Sequence, residues 1–189
     1  MGKVVIFSAP SGSGKTTIVR ALLERYPQLE VSISATSRAP RGQEQDGRDY
    51  YFFTHEAFKQ AVAEDRFVEW EEVYAGTRYG TLRSEIERIW SKGHVIVFDV
   101  DVMGGINLKR IFGDAARSVF IMPPSVEELR RRLVGRGTDA PEVIQRRLDK
   151  AAFELTKAEG FDHIVLNDRL DEAIAEASAI LENFIGIGR

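Results

Sequence analysis

The sequence predicts an α/β fold in which helices cover both faces of a parallel β-sheet. Short runs rich in Val, Ile and Phe do not alternate with polar residues, which is typical of strands buried on both faces. Segments with helical spacing separate these runs. A polar and aromatic stretch over residues of about 35 to 90 interrupts the alternation and predicts a small inserted lobe. With 189 residues, the chain is long enough for one domain with such an insertion.

The most apolar runs predict the buried strands, which are Val4–Phe7, Val95–Phe98, Val119–Met122 and Ile164–Leu166. A weaker fifth candidate is Val31–Ser34. Polar segments bound each of these short runs, and each run has the length of one strand.

Three helices are predicted in the second half of the chain. Ser125-Val-Glu-Glu128 has the spacing of a capping box and predicts a helix through Leu133. Pro141 suits the first turn of a helix that runs toward Glu159. Leu170–Phe184 predicts a final amphipathic helix.

The insertion reads differently from the rest of the chain. Arg38–Asp49 is polar and contains proline and glycine, which predicts a long irregular loop. The aromatic runs Tyr50–Phe53 and Phe67–Tyr74 are predicted to pair as antiparallel strands, around a helix that starts near Thr54. Residues 134 to 140 predict a second loop, between two helices.

A glycine-rich turn follows the first strand and leads into a helical segment, with the sequence Ser8-Ala-Pro-Ser-Gly-Ser-Gly-Lys-Thr-Thr17. Small residues let successive backbone N–H groups point at phosphate oxygens, and the positive end of the next helix adds to that field. Lys15 can reach outer phosphates, and the Thr16 hydroxyl suits magnesium. Ala9 stands where the full pattern has glycine; because a methyl group removes no donor, we expect the loop to form. The alternative is a plain turn before a helix.

Two aspartates follow an apolar strand. Residues two apart on a strand point to the same side, about 7 Å apart. Because ligands bind at the carboxyl ends of parallel strands, Asp99 is placed like an acidic residue that holds magnesium through water. Asp101 would project further and accept hydrogen bonds from a second ligand. The alternative is a pair of solvated aspartates at the end of a strand.

Arginines occur in both predicted loops. Arg38 and Arg41 can grip one phosphate from two directions, with hydroxyl donors from Tyr50 and Tyr79. The alternatives are surface solubility for the arginines and core packing for the tyrosines. Around the second loop lie three more: Arg132, Arg136 and Arg147. Arginines that close over a migrating phosphoryl group stabilise its charge, whereas the alternative is a basic helix face.

Composition narrows the function classes. Lys and Arg total 26 against 29 Asp and Glu, which argues against a broad nucleic-acid surface. The absence of cysteine excludes disulfides and thiolate metal sites. No apolar run approaches the roughly 20 residues of a membrane span, and the first strand leaves no room for a signal peptide before it. We therefore expect a cytoplasmic protein without membrane or nucleic-acid partners.

Eight motifs follow one another along nearly the whole chain: Ser11–Thr16, Thr36–Arg41, Gly47–Phe52, Phe67–Trp70, Tyr79–Thr81, Asp99–Asp101, Pro123–Ser125 and Arg136–Asp139. In this combination and order they resemble the guanylate kinase family. One departure besides Ala9 is Met103, where a glutamine is usual. The resemblance implies transfer of the terminal phosphate of ATP to GMP, giving ADP and GDP, with Mg²⁺.

The resemblance also implies an architecture and a set of site residues. The fold would be a nucleoside monophosphate kinase core over residues 1–34 and 91–189, a GMP-binding lobe over about 35–90 and a lid over about 134–147. Guanine would contact Ser34, Glu69, Thr81 and Asp101, and the GMP phosphate would contact Arg38, Arg41, Tyr50 and Tyr79. ATP would be bound by Ser11, Gly12, Ser13, Gly14, Lys15, Thr16, Thr17 and Asn167. Catalysis would rest on Lys15, Arg132, Arg136 and Arg147, and magnesium on Thr16 and Asp99.

The chemistry of guanine agrees with this assignment. Guanine carries N–H donors at N1 and at its 2-amino group, which suit the carboxylates of Glu69 and Asp101. Adenine would leave these acceptors unpaired, at about 1–3 kcal/mol each. No general base is required, because the attacking phosphate oxygen is mostly ionised near neutrality.

Two other hypotheses remain open. One is a domain of this fold that has lost catalysis and docks phosphorylated peptides in the GMP site. The other is an enzyme of this fold that acts on a different phosphorylated small molecule. The presence of Lys15, Thr16 and Asp99 argues against the first, and Glu69 with Asp101 argues against the second. The sequence does not indicate an oligomeric state.

Overall fold

The computed structural model describes residues 2–74, 76–135, 137 and 140–187, with the backbone alone for Tyr74. In chain order, the elements are β1 (Val4–Ser8), α1 (Lys15–Arg25), β2 (Leu29–Val31), β3 (Ala35–Thr36), β4 (Tyr51–Phe52), α2 (His55–Ala63), β5 (Phe67–Tyr74), β6 (Thr77–Leu82), α3 (Arg83–Trp90), β7 (Val95–Val100), α4 (Val102–Phe112), β8 (Ala116–Met122), α5 (Val126–Gly135), α6 (Pro141–Leu155), β9 (His163–Leu166) and α7 (Leu170–Ile185).

The main sheet has five strands in the order β2-β7-β1-β8-β9, and each pairing is parallel. The predicted α/β fold with a parallel sheet flanked by helices is therefore confirmed. All four apolar runs are strands. The weaker fifth candidate, Val31–Ser34, is wrong in its bounds: the strand here is Leu29–Val31 and shares only Val31 with it. The carboxyl ends of β1 and β7 lie side by side, with Ser8 opposite Val100.

The two faces of this sheet bury different helices. Along β1, Val5 and Phe7 pack in one cluster with the buried residues of α1 and α7. Val4 and Ile6 point to the opposite face and pack with buried residues of α3 and α4. All four side chains are fully buried. Because both faces are covered, the strands are continuous apolar runs rather than alternating ones.

The second sheet lies within the predicted insertion and has the order β4-β3-β6-β5. Its own apolar core contains Ala35, Phe58, Ala61, Phe67 and Leu82. The predicted antiparallel pairing of the two aromatic runs is wrong: β4 pairs in parallel with β3, and β5 pairs antiparallel with β6. β6 directly follows β5 in the chain, so the loop that joins them is short and its closure costs little conformational entropy.

The helices after β8 agree with their sequence signals at the start and differ at the end. The Ser125 hydroxyl accepts a hydrogen bond from the Glu128 N–H at 3.0 Å, as a capping residue does. α6 begins at Pro141 as predicted, but it ends at Leu155, short of Glu159. Together α5 and α6 bury a separate apolar cluster: Leu129, Leu133, Ile144, Leu148 and Ala151.

Within the described residues, no helix is both long and apolar enough to cross a membrane. The division into a core, a GMP-binding lobe and a lid stays a prediction. The second sheet runs from Ala35 to Leu82 and so falls inside the predicted lobe. Part of the predicted lid, Arg136 with Thr138 and Asp139, lies outside the described residues.

Candidate active site

The glycine-rich segment forms a tight loop between β1 and α1. Gly12 and Gly14 have φ angles of 94° and 89°, which favour glycine because a side chain would be strained there. The Ser13 N–H donates to the Pro10 carbonyl at 3.1 Å and closes the turn. Among the described residues other than glycine, Asp65 alone has a positive φ, so the backbone at Ala9 is one that alanine adopts without strain. This explains why alanine fits where the common pattern has glycine.

Lys15 and Thr16, at the start of α1, face the end of β7. The Lys15 ammonium lies 2.5 Å from Asp99 Oδ1 and donates to the Val100 carbonyl at 2.6 Å. The Thr16 hydroxyl lies 3.5 Å from Asp99 Oδ2. The loop therefore places a cation, a hydroxyl and a carboxylate side by side at the sheet edge where parallel strands bind ligands.

Two of the predicted arginines contact the loop from α5 and α6. Arg147 Nη1 donates to the Ser11 hydroxyl at 2.8 Å. Arg132 Nη2 donates to the Asn167 carbonyl at 3.0 Å, and the buried Asn167 amide donates to the Ser13 carbonyl at 2.6 Å. Asn167 thus supports the loop from behind and does not line the cavity in front of it. The third predicted arginine, Arg136, lies outside the described residues.

A cavity of about 480 Å³ opens in front of the loop and extends to the second sheet, a volume typical of small-molecule sites. Most of the predicted site residues line it: Ser11, Gly12, Ser13, Gly14, Lys15, Thr16, Thr17, Ser34, Tyr50, Glu69, Tyr79, Asp99, Asp101 and Arg147. Thr81 is buried beside it and donates its hydroxyl to Glu69. Met103, the second departure from the family pattern, does not line the cavity.

Glu69 and Asp101 meet over the start of α4. Glu69 Oε1 accepts the Thr81 hydroxyl at 2.8 Å. Asp101 does not continue the strand as predicted, because β7 ends at Val100 and Asp101 is the N-cap of α4. Its Oδ1 accepts the Gly104 N–H at 2.8 Å. One oxygen of each carboxylate is therefore held by a protein donor, while both side chains line the cavity.

Burial perturbs the protonation of Glu69 strongly. Desolvation, together with the negative charges of Asp101 and Glu71, raises its pKa to about 7, against the hydrogen bonds from Thr81. A carboxyl group in this condition gains from any ligand that brings N–H donors, because those donors stabilise its ionised form.

Arg38 is oriented by partners in the loop and the second sheet. Its guanidinium binds both oxygens of Glu44, at 2.6 and 2.9 Å, and its Nε donates to the Tyr79 hydroxyl at 3.1 Å. The guanidinium also lies over the Tyr50 ring, 4.8 Å from its centroid. The hydrogen bonds from Arg38 hold the pKa of Glu44 below its ordinary value, despite partial burial. Three of the four side chains predicted to hold the GMP phosphate are thus assembled.

The fourth of these, Arg41, is exposed on the surface of the irregular loop and does not line the cavity. Its backbone N–H donates to Glu44 at 2.8 Å. Glu44 therefore ties Arg38 and Arg41 together, although sequence reasoning did not single it out. No periodic signal marks it, because the segment has no regular structure.

Among the charged residues of the cavity wall that sequence reasoning missed are Glu71, Lys150 and Glu154. Glu71 lies two residues after Glu69 on β5, so strand periodicity places both on one face. Lys150 and Glu154 follow Arg147 by three and seven residues on α6, which places all three on one helical face. In each case the spacing from a predicted residue was a usable signal.

Thr16 and Asp99 fit the chemistry of magnesium. Mg²⁺ prefers oxygen ligands and is usually held by one or two protein groups together with substrate phosphates. A hydroxyl and a carboxylate 3.5 Å apart supply such a pair. A cluster of three or more His, Cys, Asp or Glu residues that could hold a metal ion alone is not found within the described ranges. The donors present therefore suit a metal ion that is shared with a phosphate ligand.

Comparison with known proteins agrees with these features. The guanylate kinase family model matches residues 1–184. A guanylate kinase of Bacteroides fragilis is 51% identical over 185 residues, which cover 98% of this chain and 91% of the relative. A guanylate kinase of Porphyromonas gingivalis is 49% identical, with 98% and 99% covered. The crystal structure of guanylate kinase from Anaplasma phagocytophilum superposes with a TM-score of 0.78 at 32% identity, over 96% of this chain and 85% of that one. The chain therefore belongs to the guanylate kinase family.

Proposed function

We propose that this protein transfers the γ-phosphoryl group of ATP to GMP, giving ADP and GDP. One observation carries the proposal beyond family membership. A single cavity is lined at one end by the phosphate-binding loop and at the other by Glu69, Asp101, Tyr50 and Tyr79. Two phosphorylated ligands can therefore meet inside it, one on the loop and one on the second sheet.

The two ends differ in the ligands that they suit. At the loop end, backbone N–H groups and the Lys15 ammonium suit the phosphates of ATP. At the other end, Glu69 and Asp101 suit the N1 and 2-amino hydrogens of guanine. Arg38, with Tyr50 and Tyr79, suits the GMP phosphate. Adenine would leave the two carboxylates without donors, at about 1–3 kcal/mol each, and this difference favours GMP over AMP.

In the proposed reaction, a phosphate oxygen of GMP attacks the γ-phosphorus of ATP. A new P–O bond forms, the bond to the β-phosphate oxygen breaks, and ADP leaves with that electron pair. The attacking oxygen is mostly ionised near pH 7, so it needs no base. The protein supplies position and positive charge, from Lys15 and from Arg132 and Arg147, which lie against the loop. Arg136 is proposed as a further catalytic residue from the sequence.

Thr16 and Asp99 would hold Mg²⁺. When bound, the ion neutralises part of the charge on the ATP phosphates and draws their oxygens into one orientation. Asn167 would act indirectly on the ATP side, by holding the Ser13 carbonyl and with it the shape of the loop. The cytoplasmic location and the absence of nucleic-acid and membrane partners stay predictions from the sequence.

A coupled assay of ADP release with GMP, AMP, CMP and UMP tests the substrate. We expect turnover with GMP to exceed that with each of the other three by at least about 30-fold, from two unpaired carboxylates at about 1–3 kcal/mol each. Equal rates with all four would contradict the assignment of Glu69 and Asp101. A preference for another nucleotide would favour the alternative of a different phosphorylated substrate.

Replacement of the loop lysine tests the chemistry. Lys15→Met removes an ammonium from the phosphate site, and we expect kcat to fall about 100- to 1000-fold, the usual effect of losing one preorganised charge. Thermal unfolding of the same variant shows whether the fold is retained. A folded Lys15→Met protein with nearly full activity would show that the loop is not catalytic, and a wild-type protein that binds GMP without turnover would favour a binding module.

A further inference from the structure

One ammonium group in the cavity wall lies among three carboxylates. Lys150 Nζ, on α6, is 3.6 Å from Asp101 Oδ2 and 3.4 Å from Glu154 Oε1. The Glu154 side chain is only 6% exposed, whereas those of Lys150 and Asp101 are 29% and 26% exposed. The Gly104 N–H holds Asp101 Oδ1, which leaves Oδ2 for a ligand. Lys150 lies beside this second oxygen.

The third carboxylate, Glu71, comes from the opposite wall of the cavity. It lies on β5 of the second sheet, and its Oε2 is buried without a hydrogen-bond partner among the described residues. Burial raises its pKa, the charges of Asp101 and Glu154 raise it further, and the charge of Lys150 lowers it. Glu71, on a strand of the second sheet, and Lys150, on α6, thus line the same cavity.

The position of Lys150 on α6 connects the two ends of the site. Arg147 lies one helical turn before it and donates to Ser11 in the phosphate-binding loop. The same face of α6 thus contacts the loop through Arg147 and the guanine-binding end through Lys150. A shift of α6 against β5 would alter both ends together, because a helix moves as a rigid element.

We propose that Lys150 is a positioning residue for GMP binding: it orients the Asp101 carboxylate from α6, and its charge offsets that of Glu71, which lines the same cavity. This inference rests on the proposed function, since it takes GMP as the ligand of that end. Without Lys150, the three carboxylates would line this part of the cavity without the ammonium that lies beside two of them, and their mutual repulsion would turn Asp101 Oδ2 away from the guanine hydrogens.

A double-mutant cycle measures the pair directly. The dissociation constant for GMP is measured by calorimetry for the wild type, Glu71→Gln, Lys150→Met and the double variant. We expect Lys150→Met to weaken GMP binding about tenfold and to leave ATP binding unchanged within about twofold, as for the loss of a partly exposed charge partner. Glu71→Gln should weaken GMP binding about threefold in the wild-type background.

The sign of the second substitution is the decisive result. In the Lys150→Met background, Glu71→Gln removes a carboxylate that has lost its counter-charge, so GMP binding should stay unchanged or improve. The same fold-change in both backgrounds, or a larger loss in the Lys150→Met background, would overturn the pair. Lys150→Arg should restore most of the affinity, which a purely structural role of the alkyl chain would not require.

Matched controls use the same chemical changes outside the cavity. Glu72→Gln lies one residue further on β5, on its other face, and Lys157→Met lies just after α6. Neither should change the dissociation constant of GMP by more than about twofold. Thermal unfolding of each variant verifies folding, and Lys150→Gln replaces Lys150→Met in the cycle if the latter unfolds.

The outcome also separates this inference from the proposed function. A wild-type protein that does not phosphorylate GMP would refute the function itself. A wild-type protein that phosphorylates GMP, but shows independent effects of the two substitutions, would refute only the pair. The KM for GMP should rise in Lys150→Met while kcat at saturating GMP changes less than threefold, because the residue acts on binding.

Discussion

Two clusters of buried carboxylates in this molecule have opposite electrostatic conditions. The paired cluster, between β2 of the main sheet and α3, consists of Glu30, Glu85 and Arg88. The cavity cluster consists of Glu69, Glu71, Asp101, Glu154 and Lys150. Burial raises the pKa of Glu30 and Glu85 just as it does in Glu69, Glu71 and Glu154. The net shift differs because the two clusters receive different numbers of hydrogen bonds.

In the paired cluster, protein donors outweigh burial. Glu85 accepts two hydrogen bonds from Arg88 at 2.7 and 2.8 Å, one from the Ile33 N–H at 2.8 Å and one from the Tyr51 hydroxyl at 2.9 Å. Burial raises the pKa of Glu30, but hydrogen bonds from Lys92, Arg88 and His94 bring it down to about 2. These carboxylates are satisfied by the protein itself.

In the cavity cluster, donors are few and the shift has the other sign. The pKa is raised for Glu69, Glu71 and Glu154, chiefly by burial and further by neighbouring carboxylates, and that of Glu69 reaches about 7. In a fold of this kind, the direction of the pKa shift separates structural carboxylates from ligand-binding ones. A buried carboxylate with a lowered pKa has its donors already, whereas one with a raised pKa lacks donors that a ligand can bring.

The largest expected effect is on the free energy of unfolding and follows the replacement of Glu85. Glu85→Ala leaves Arg88 and the Ile33 N–H without their shared acceptor, and we expect the free energy of unfolding to fall by about 3 kcal/mol. For a chain of this length the melting temperature would fall by roughly 6–12 °C. The control is Glu87→Ala, two residues further on α3 and exposed, which should change stability by less than about 0.5 kcal/mol. Similar losses of stability in both variants would show that the hydrogen bonds of Glu85 do not stabilise the fold.

The next effect is on catalysis and concerns Glu69. Glu69→Gln replaces an acceptor for guanine N–H groups by an amide, and we expect kcat/KM for GMP to fall about 10- to 30-fold. Since no protein donor depends on its charge as Arg88 depends on Glu85, the melting temperature at pH 8 should not fall. Glu72→Gln, on the other face of the same strand, should leave kcat/KM unchanged. A destabilised Glu69→Gln protein with normal kcat/KM would show that Glu69 belongs with the paired cluster.

The last effect is a dependence of stability on pH. The pKa of Glu69 is about 7 in the folded protein and near 4.5 when unfolded, so the folded state retains a proton that the unfolded state has lost. Wild-type stability therefore falls as the pH rises from about 4.5 through 7. Relative to the wild type, Glu69→Gln should gain about 2–3 kcal/mol in stability between pH 5 and pH 8, because a shift of one pKa unit corresponds to about 1.4 kcal/mol.

Glu30 supplies the contrast for this measurement. Its folded pKa of about 2 lies below the ordinary value of 4.5, so its stabilisation is complete above about pH 4.5 and is lost only as the pH falls toward 2. Glu30→Gln should therefore destabilise the protein by the same amount at pH 5 and at pH 8. Denaturant unfolding at both pH values tests the two variants together, and a pH-independent difference for Glu69→Gln would refute its raised pKa.

The parallel sheet and the phosphate-binding loop were predictable because they depend on residues close together in the chain. Apolar runs of strand length define β1, β7, β8 and β9, whose faces are both covered by helices. The glycines at 12 and 14 occupy backbone conformations that few other residues adopt. The cap at Ser125 likewise joins groups only three residues apart. In each case a local physical requirement selects the residue type.

The second sheet and the charged side of the cavity were less predictable. Strand pairing within the insertion depends on β6, along which apolar and polar residues alternate only weakly. Its partner β5 was therefore predicted to pair with β4 instead. Asp101 was expected to continue the strand β7. It caps α4 instead, because its carboxylate is a good acceptor for the Gly104 N–H. Glu44 lies in an irregular loop, and no periodic pattern of residues indicates which side chains meet there.

Neighbouring residues alone were enough to predict the core strands and the glycine-rich loop, because both depend on periodicity and short-range geometry. The side chains assigned to guanine were predicted from the family resemblance. The tertiary structure decided which carboxylates are paired and which face the cavity. Glu85 meets Ile33 across 52 residues, and Glu71 of the second sheet lines the same cavity as Lys150 of α6. Such contacts depend on how sheets and helices pack together, and the spacing of residues along one element carries no information about the element opposite.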